Sequence, residues 1–363
     1  MPLGDLLSEV LRLQADYTSD PKSPLMLRRK QLVEREIPEW IASVLDPVFP
    51  PWRAGGSNGK GNPAEVPWSR YFDPASSPAP TDGWYAVYLF DAVGQSVYLS
   101  LNQGTTTWDV DKQDFVYRPK NQLLRRVQWA REALSATDSG PKTFDDIDLK
   151  GRQRLGRVYQ FGNVHGIEYR LDAIPSDEEL RNDLLHIGRL LEKLYEIDAN
   201  TAYIPGDEPP EILDAELASA NAAGNTRRRS KGQGFRLNRA EQTAIERHAV
   251  KLATEYFKGL KYKVKDTGST ESYDLEATRG DEKVYIEVKG TTSPGEQIIL
   301  TRKEVEHHNQ HPNNALVVVH SILLDRTQQP PVAYGGTRVV TQPWKIDPAG
   351  LTVISYRYKI PPA

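Results

Sequence analysis

Apolar residues recur at helical spacing over about residues 4–17 and 24–46, and in the second segment Leu32, Val33, Ile37, Trp40, Ile41 and Val44 fall on one stripe. Such stripes predict packing helices. The period shortens to two over residues 83–90 and 96–101, with Asp91-Ala92-Val93-Gly94 between them as a turn, so a hairpin in a mixed domain is expected. Further on, a helix is predicted over about residues 120–136, and strands near 157–162 and 167–173. A long helix should open at Ser176, whose spacing to Glu179 is that of a capping box, and run to about Ile197.

Residues 206–236 lose any period and fill with Pro, Ala, Asn and Gly, ending in Arg227-Arg228-Arg229-Ser230-Lys231; this predicts a linker. Beyond it Asn238 and Glu241 repeat the capping-box spacing. Ile245, Ala249, Leu252, Ala253, Tyr256 and Phe257 then make an amphipathic helix of about 20 residues. A β-rich stretch, a strand over 297–300, a helix opened by Thr301-Arg302-Lys303-Glu304 and an apolar strand over 315–319 complete an αβββαβ order. The chain is therefore expected to divide into residues 1–205, a linker over 206–236, and residues 237–363.

Composition adds limits. The 363 residues, 38 % hydrophobic and 26 % charged, suffice for two globular cores. There is no cysteine, which excludes disulfides, thiolate zinc sites and a cysteine nucleophile. A net charge of −3 does not mark the whole chain as a nucleic-acid binder, so clusters carry that argument: Arg118, Lys120, Arg125, Arg126 and Arg131 on or before one helix, and residues 227–231. The first residues lack a signal-peptide pattern, and no apolar run approaches the roughly 20 residues of a membrane span, so a soluble, cytoplasmic protein without a membrane partner is expected.

The densest chemistry lies in the C-terminal part. Residues 282–288 alternate polar and apolar, and Arg279-Gly280-Asp281 reads as a tight turn after Asp274-Leu275-Glu276-Ala277, so Asp274 and Glu287 should meet on adjacent strands. Glu287 and Lys289 then share one face while Val288 points into the core. Asp274, Glu287 and the Val288 carbonyl suit one or two hard divalent cations, Mg2+ with Mn2+ as a substitute. Lys289 is placed to hold the attacking water and offset charge on a phosphodiester transition state. Glu246, beside Ile245 and on the side of Ala249 and Ala253, is expected to face the sheet as a further acid. Glu241 and Glu304 are accounted for as capping residues. His307, His308 and His311 read as an exposed basic face.

A Glu-x-Lys on a strand is by itself more often a solvated pair. Its neighbours carry more: Glu246, Tyr273-Asp274, Ile286-Glu287-Val288-Lys289-Gly290-Thr291, Ile298-Ile299-Leu300-Thr301 and Glu304 together resemble the PD-(D/E)XK nuclease superfamily. More narrowly, about residues 240–325 are similar to the restriction-endonuclease-like domain at the C-terminus of NO VEIN proteins. The resemblance implies an α/β restriction-endonuclease-like (PD-(D/E)XK) domain, with Asp274, Glu287 and Lys289 as catalytic core, Glu246 as accessory acid and Gln297 lining the site. Tyr273 stands where the superfamily commonly has proline.

In the N-terminal half, the loop at Gly55-Gly56-Ser57-Asn58-Gly59-Lys60-Gly61 invites two motifs that fail. A nucleophile elbow needs a helix after Ser57, and a P-loop needs Gly at Ala54 and Ser or Thr at Gly61. What remains is a basic loop whose amides can hold phosphate oxygens. Near it lie Trp52, Trp68, Tyr71, Phe72, Trp84, Tyr85 and Tyr88, some of them core and others candidates for stacking an extruded base. Glu36-Ile37-Pro38, the 56–61 loop, Val66-Pro67-Trp68, residues 83–90 and residues 97–104 resemble the N-terminal domain of MrcB-like proteins over about residues 5–200. That resemblance implies an α+β target-recognition domain of modification-dependent restriction systems, typically for modified cytosine. The associated GTPase motor is missing, since no Walker A motif occurs.

The expectation is a modification-dependent restriction endonuclease that hydrolyses double-stranded DNA with Mg2+ and acts as a homodimer when cutting. The expected DNA contacts are Ser57, Asn58, Lys60, Trp68, Tyr71, Trp84, Arg125, Arg126 and Arg228. The alternatives are a DNA-binding or regulatory protein whose nuclease-like fold is inactive, and an RNA-directed nuclease.

Overall fold

A computed structural model of the chain describes residues 1–109, 114–135, 143–222, 237–268 and 270–356. Residues Met1–Asn200 form one unit, and the described residues from Thr201 onward form a second. Both mix helix and sheet. No helix among the described residues is long and apolar enough to cross a membrane.

The first unit opens with helices α1 (Leu3–Ala15), α2 (Pro24–Gln31) and α3 (Ile37–Leu45), the last two joined through a π-turn at Leu32–Glu36. Leu32, Val33, Ile37, Ile41 and Val44 of the apolar stripe are buried, and Trp40 packs half-buried against the same core. The widened turn brings the Val33 carbonyl to the sheet, where Ser69 Oγ donates to it at 2.7 Å. A Cβ on Gly56 would lie 1.9 Å from that same oxygen, so only glycine fits there.

Strands β1 (Arg53–Ser57), β2 (Trp68–Phe72), β3 (Trp84–Phe90) and β4 (Ser96–Gln103) are followed by the ribbon β5 (Thr106–Asp109) and β6 (Asp114–Tyr117). Then come α4 (Lys120–Leu134), α5 (Arg154–Gln160), β7 (His165–Arg170) and α6 (Asp177–Asn200). The main sheet is antiparallel in the order β1-β2-β3-β4-β7. In β3 the period of two sends Trp84, Ala86, Tyr88 and Phe90 into the helix-covered core, and Tyr85, Val87 and Leu89 into a smaller cluster on the opposite face with Val66, Tyr98, Ile147 and Leu149. That double covering explains why all seven residues of β3 are buried. The segment expected as a strand near 157–162 is instead the end of α5; a run of seven residues is too short for its apolar period to separate helix from strand.

In the second unit, residues 210–222 of the expected linker form a helix, α7 (Pro210–Ala222), held by Gln242 Nε2 donating to Asp214 Oδ2 at 2.9 Å. Alanine-rich composition with proline at the first helical position favours that outcome over coil. Helix α8 (Arg239–Gly259) begins with the predicted capping box, both bonds between Asn238 and Glu241 being made. Strands β8 (Lys263–Asp266), β9 (Leu275–Arg279) and β10 (Glu282–Gly290), helix α9 (Arg302–Gln310), and strands β11 (Asn314–Asp325) and β12 (Val332–Thr341) follow. The sheet order is β12-β11-β10-β9-β8, with only β10 and β11 parallel, and α9 supplies the crossover their direction requires.

Residues 297–300, expected as a strand, are not in one. Both edges of β10 are already taken, by β9 and β11, so Ile298-Ile299-Leu300 cannot pair with the strand that carries Glu287 and Lys289. Helix α8 lays Ile245, Ala249, Ala253 and Phe257 on the face of β10 that carries Val284, Ile286 and Val288. Gly290 permits this approach, since a Cβ there would sit 2.9 Å from the Cβ of Ala249. The alternate residues Glu287 and Lys289 face α9, through contacts with His308 and Glu304.

Candidate functional site

Asp274 precedes β9 and clasps the residues on either side of Glu287. Its N–H donates to the Ile286 carbonyl at 3.0 Å, and its Oδ2 accepts from the Val288 N–H at 2.8 Å. A hairpin of two loop residues, with Gly280 at φ +59°, sets that register. Glu287 is fully buried at the centre of the sheet. Lys289 Nζ lies 2.6 Å from Glu287 Oε1 as an ion pair without hydrogen-bond alignment, and 3.3 Å from Glu304 Oε1. On the other side, His308 Nε2 stands 3.4 Å from Glu287 Oε2. The sequence-predicted trio of Asp274, Glu287 and Lys289 is thus brought together, with Val288 contributing its amide to Asp274.

The electrostatics follow from burial. Burial and then the Glu287 charge push the Asp274 carboxyl up to about 6. Burial also works against a charged Glu287, but His308 and Lys289 outweigh it and hold that carboxyl below its ordinary value. Lys289 is desolvated too, yet Glu287 and Glu304 keep its ammonium above the usual range. One carboxyl inclined to keep its proton beside one that is ionised is what burial and a neighbouring like charge produce together. Among the described residues no three His, Cys, Asp or Glu are gathered so as to cage an ion. Mg2+ is commonly held by one or two carboxylates with water and phosphate oxygens, and the Asp274–Glu287 pair fits that donor set.

Two predicted members do not join. Glu246 is exposed, because Ile245 takes the inward position and the next residue is rotated by about 100° around α8. Gln297 is exposed in the segment that is not a strand. Three other residues take their place beside the cluster. Glu304 does cap α9, its Oε2 accepting from the Thr301 N–H at 2.7 Å, but its second oxygen reaches Lys289. His308 is buried rather than part of an exposed face; His307 meanwhile stacks between Tyr273 and His311. Glu211 of α7 accepts from Thr291 Oγ1 at 3.1 Å, while its Oε1 is buried without a partner and burial raises its carboxyl pKa. Thr291 lies just past the end of β10, two residues beyond Lys289. A capping box flagged Glu304 in the sequence, where His308 reads only as part of an exposed basic face; nothing local flagged Glu211.

The first unit holds a cavity of about 130 Å³ on the sheet face away from the main core, lined by Trp68, Arg70, Tyr85, Asn102 and Tyr159 among others. Leu155 and Tyr159 reach it together because α5 is a helix, which places residues four apart on one side. Burial pushes the Tyr159 phenol up to about 12, against a hydrogen bond from Trp68. A single six-membered ring occupies roughly 150 Å³ of cavity in a protein core, so the space is that of one ring.

Most of the expected DNA contacts are placed elsewhere. Trp84 is fully buried, donating Nε1 to Asp198 at 3.1 Å and stacking on Trp129. Tyr71 is core, its hydroxyl 3.3 Å from Asp46 Oδ1. Arg126 is 1 % exposed, bonded to Gln103 and lying over Trp84. Asn58 is buried, its Oδ1 accepting from Arg29 Nε at 2.7 Å and its N–H given to Glu34. Ser57 Oγ accepts from the Gly59 N–H, so the amides of Asn58 and Gly59 are both engaged within the protein. Aromatic and basic type alone does not separate core from surface in a strand covered on both faces. Lys60 and Arg125 are exposed, and Trp68 lines the cavity. Arg228 lies outside the described residues.

The class defined by these features is a two-unit α+β protein carrying a partly buried carboxylate–lysine cluster in one unit and an aromatic cavity in the other. The chain belongs to the family of MrcB-like N-terminal domains, whose model matches residues 12–196. Residues 245–332 match the model of the C-terminal region of Protein NO VEIN, the span that contains Asp274, Glu287, Lys289 and α9. No curated protein matches the chain.

Proposed function

We propose that the protein is a restriction endonuclease that hydrolyses DNA phosphodiester bonds with Mg2+ after reading a modified base, a modified cytosine by the resemblance of its N-terminal half. The observation that carries this reading is the half-buried Asp274 beside the fully buried Glu287, with Lys289 two residues on, within a span similar to NO VEIN C-terminal domains. Asp274 and Glu287 would hold Mg2+, which when bound would supply a Lewis acid for the phosphate oxygens and make a water more acidic. Lys289, already charged between two carboxylates, offsets negative charge building on the phosphorus oxygens. Glu304 and His308 orient it and Glu287 from α9. In the first unit the Trp68–Tyr85–Tyr159 cavity takes the extruded base, and Lys60 and Arg125 reach phosphate, which makes binding salt-dependent. Cutting both strands calls for two such sites, so two copies act together on one duplex.

The test is cleavage, with end mapping, of matched duplexes carrying unmodified or modified cytosine or adenine, with Mg2+ or Mn2+. Preferential cutting near the modified base is expected. Asp274→Ala, Glu287→Ala and Lys289→Ala should each lose cleavage and keep binding. Equal cutting of modified and unmodified duplexes would remove the modification dependence, and unchanged cutting by all three variants would move the active site.

A further inference from the structure

Three arginines of the first unit are almost wholly buried, and they are completed to different degrees. Arg29 uses all three guanidinium nitrogens: it donates to Asn58 Oδ1 at 2.7 Å, to the Ala64 carbonyl at 2.9 Å, and to Gln14. Arg126 is bonded to Gln103 and rests on Trp84. Arg70, 5 % exposed on β2, makes one hydrogen bond, from Nη1 to Ser77 Oγ at 3.1 Å. Its guanidinium carbon sits 3.6 Å from the Phe72 ring centroid and 5.4 Å from that of Tyr85. No carboxylate among the described residues is in ion-pair contact with it; Asp82 acts on it only at longer range. Burial accordingly lowers its pKa.

A guanidinium carries five N–H donors in a rigid planar fork, and a buried cation without a counter-charge is costly unless something completes it. Arg70 lines the cavity together with Trp68 and Tyr85. The fold thus leaves a desolvated fork on the wall of a space the size of one ring.

Building on the base-reading role proposed above, we propose that Arg70 selects, in a base turned into this cavity, a substituent bearing oxygen acceptors, a carboxyl above all, over a methyl group. A carboxylate matches the fork with two parallel hydrogen bonds and supplies the missing charge, whereas a methyl group leaves the donors unpaired. No other residue named on the cavity wall carries a positive charge that duplicates this role.

The experiment is fluorescence-anisotropy binding of the full-length protein, without divalent cation, to one duplex whose central cytosine is unmodified, 5-methyl, 5-hydroxymethyl or 5-carboxyl. The wild type should bind the 5-carboxyl duplex roughly tenfold or more tighter than the 5-methyl one, a tenfold step being about one charge-assisted hydrogen bond. In Arg70→Met that preference should collapse, and Arg70→Lys, which keeps charge but lacks the fork, should fall between. A wild type that binds 5-methyl as tightly as 5-carboxyl overturns the inference. So does an Arg70→Met protein of unchanged melting temperature that weakens on all four duplexes equally, which would make Arg70 a phosphate contact. Should Arg70→Met not fold, an Arg70→Lys protein with wild-type ranking decides against it. Indifference to every modification, by contrast, sinks the base-reading role itself.

Discussion

Replacing Asp274 by asparagine separates the electrostatic account of the carboxylate pair from a purely structural one. The carboxyl is raised from 3.8 to about 6, so the folded protein holds this proton more tightly than the unfolded chain does. Stability from that preference is complete below about pH 4 and is lost as the pH climbs through about 6. A shift of about two units at about 1.4 kcal/mol each caps the effect near 3 kcal/mol. Since the side chain is partly open to water, about 1–2 kcal/mol is the reasonable size. Asparagine keeps an oxygen to accept the Val288 N–H now bonded at 2.8 Å, so the clasp itself survives. Urea unfolding between about pH 4 and pH 8, read by pulsed hydrogen exchange in the peptide covering β10, reports on this unit alone. Asp274→Asn should match the wild type near pH 4 and exceed it by about 1–2 kcal/mol near pH 8. Mg2+ should then stabilise the wild type, by about 2.7 kcal/mol at a hundredfold excess over its dissociation constant, and leave the variant unmoved. A gap between the two proteins that is the same at both ends of the pH range would refute the argument.

Other outcomes follow from single contacts. Glu304→Gln retains a residue able to complete the capping box of α9 but removes the charge 3.3 Å from Lys289. Its cleavage rate should fall roughly tenfold, about 1.4 kcal/mol in the barrier, in a single-turnover assay with stability nearly unchanged. Gly290→Ala drives a Cβ to within 2.9 Å of Ala249 and should cost about 1–3 kcal/mol in denaturant unfolding. Trp68 and Trp84 should part company. Trp84→Phe loses the bond to Asp198 and core volume, lowering stability by about 1–3 kcal/mol with base preference intact, while Trp68→Ala should lose modified-base preference in a binding assay at little cost in stability.

The division between what was readable along the chain and what was not has a physical cause. Asp274, Glu287 and Lys289 could be grouped from the sequence because their meeting depends on a two-residue turn and the period of a strand, both local properties. The capping boxes at Asn238 and Thr301 were legible for the same reason, as was the stripe from Leu32 to Val44. Failures came where distant chain decides. Trp84, Tyr71 and Arg126 looked like DNA contacts until helices from elsewhere buried them, and residues 297–300 looked like a strand until β9 and β11 took both edges of β10. Glu246 failed on a rotation of about 100°, whose consequence depends on which neighbour the sheet admits. Glu211 carried no local mark, His308 was marked only as one of three histidines on a face expected to be exposed, and Arg70 carried no mark at all. Each is defined by what surrounds it, an unpartnered oxygen, a buried imidazole and an unneutralised fork, and burial is a property of residues far apart in sequence. Local order along the chain was enough for the carboxylate–lysine cluster. Long-range packing alone determined which charges sit beside it and which aromatic rings line a cavity.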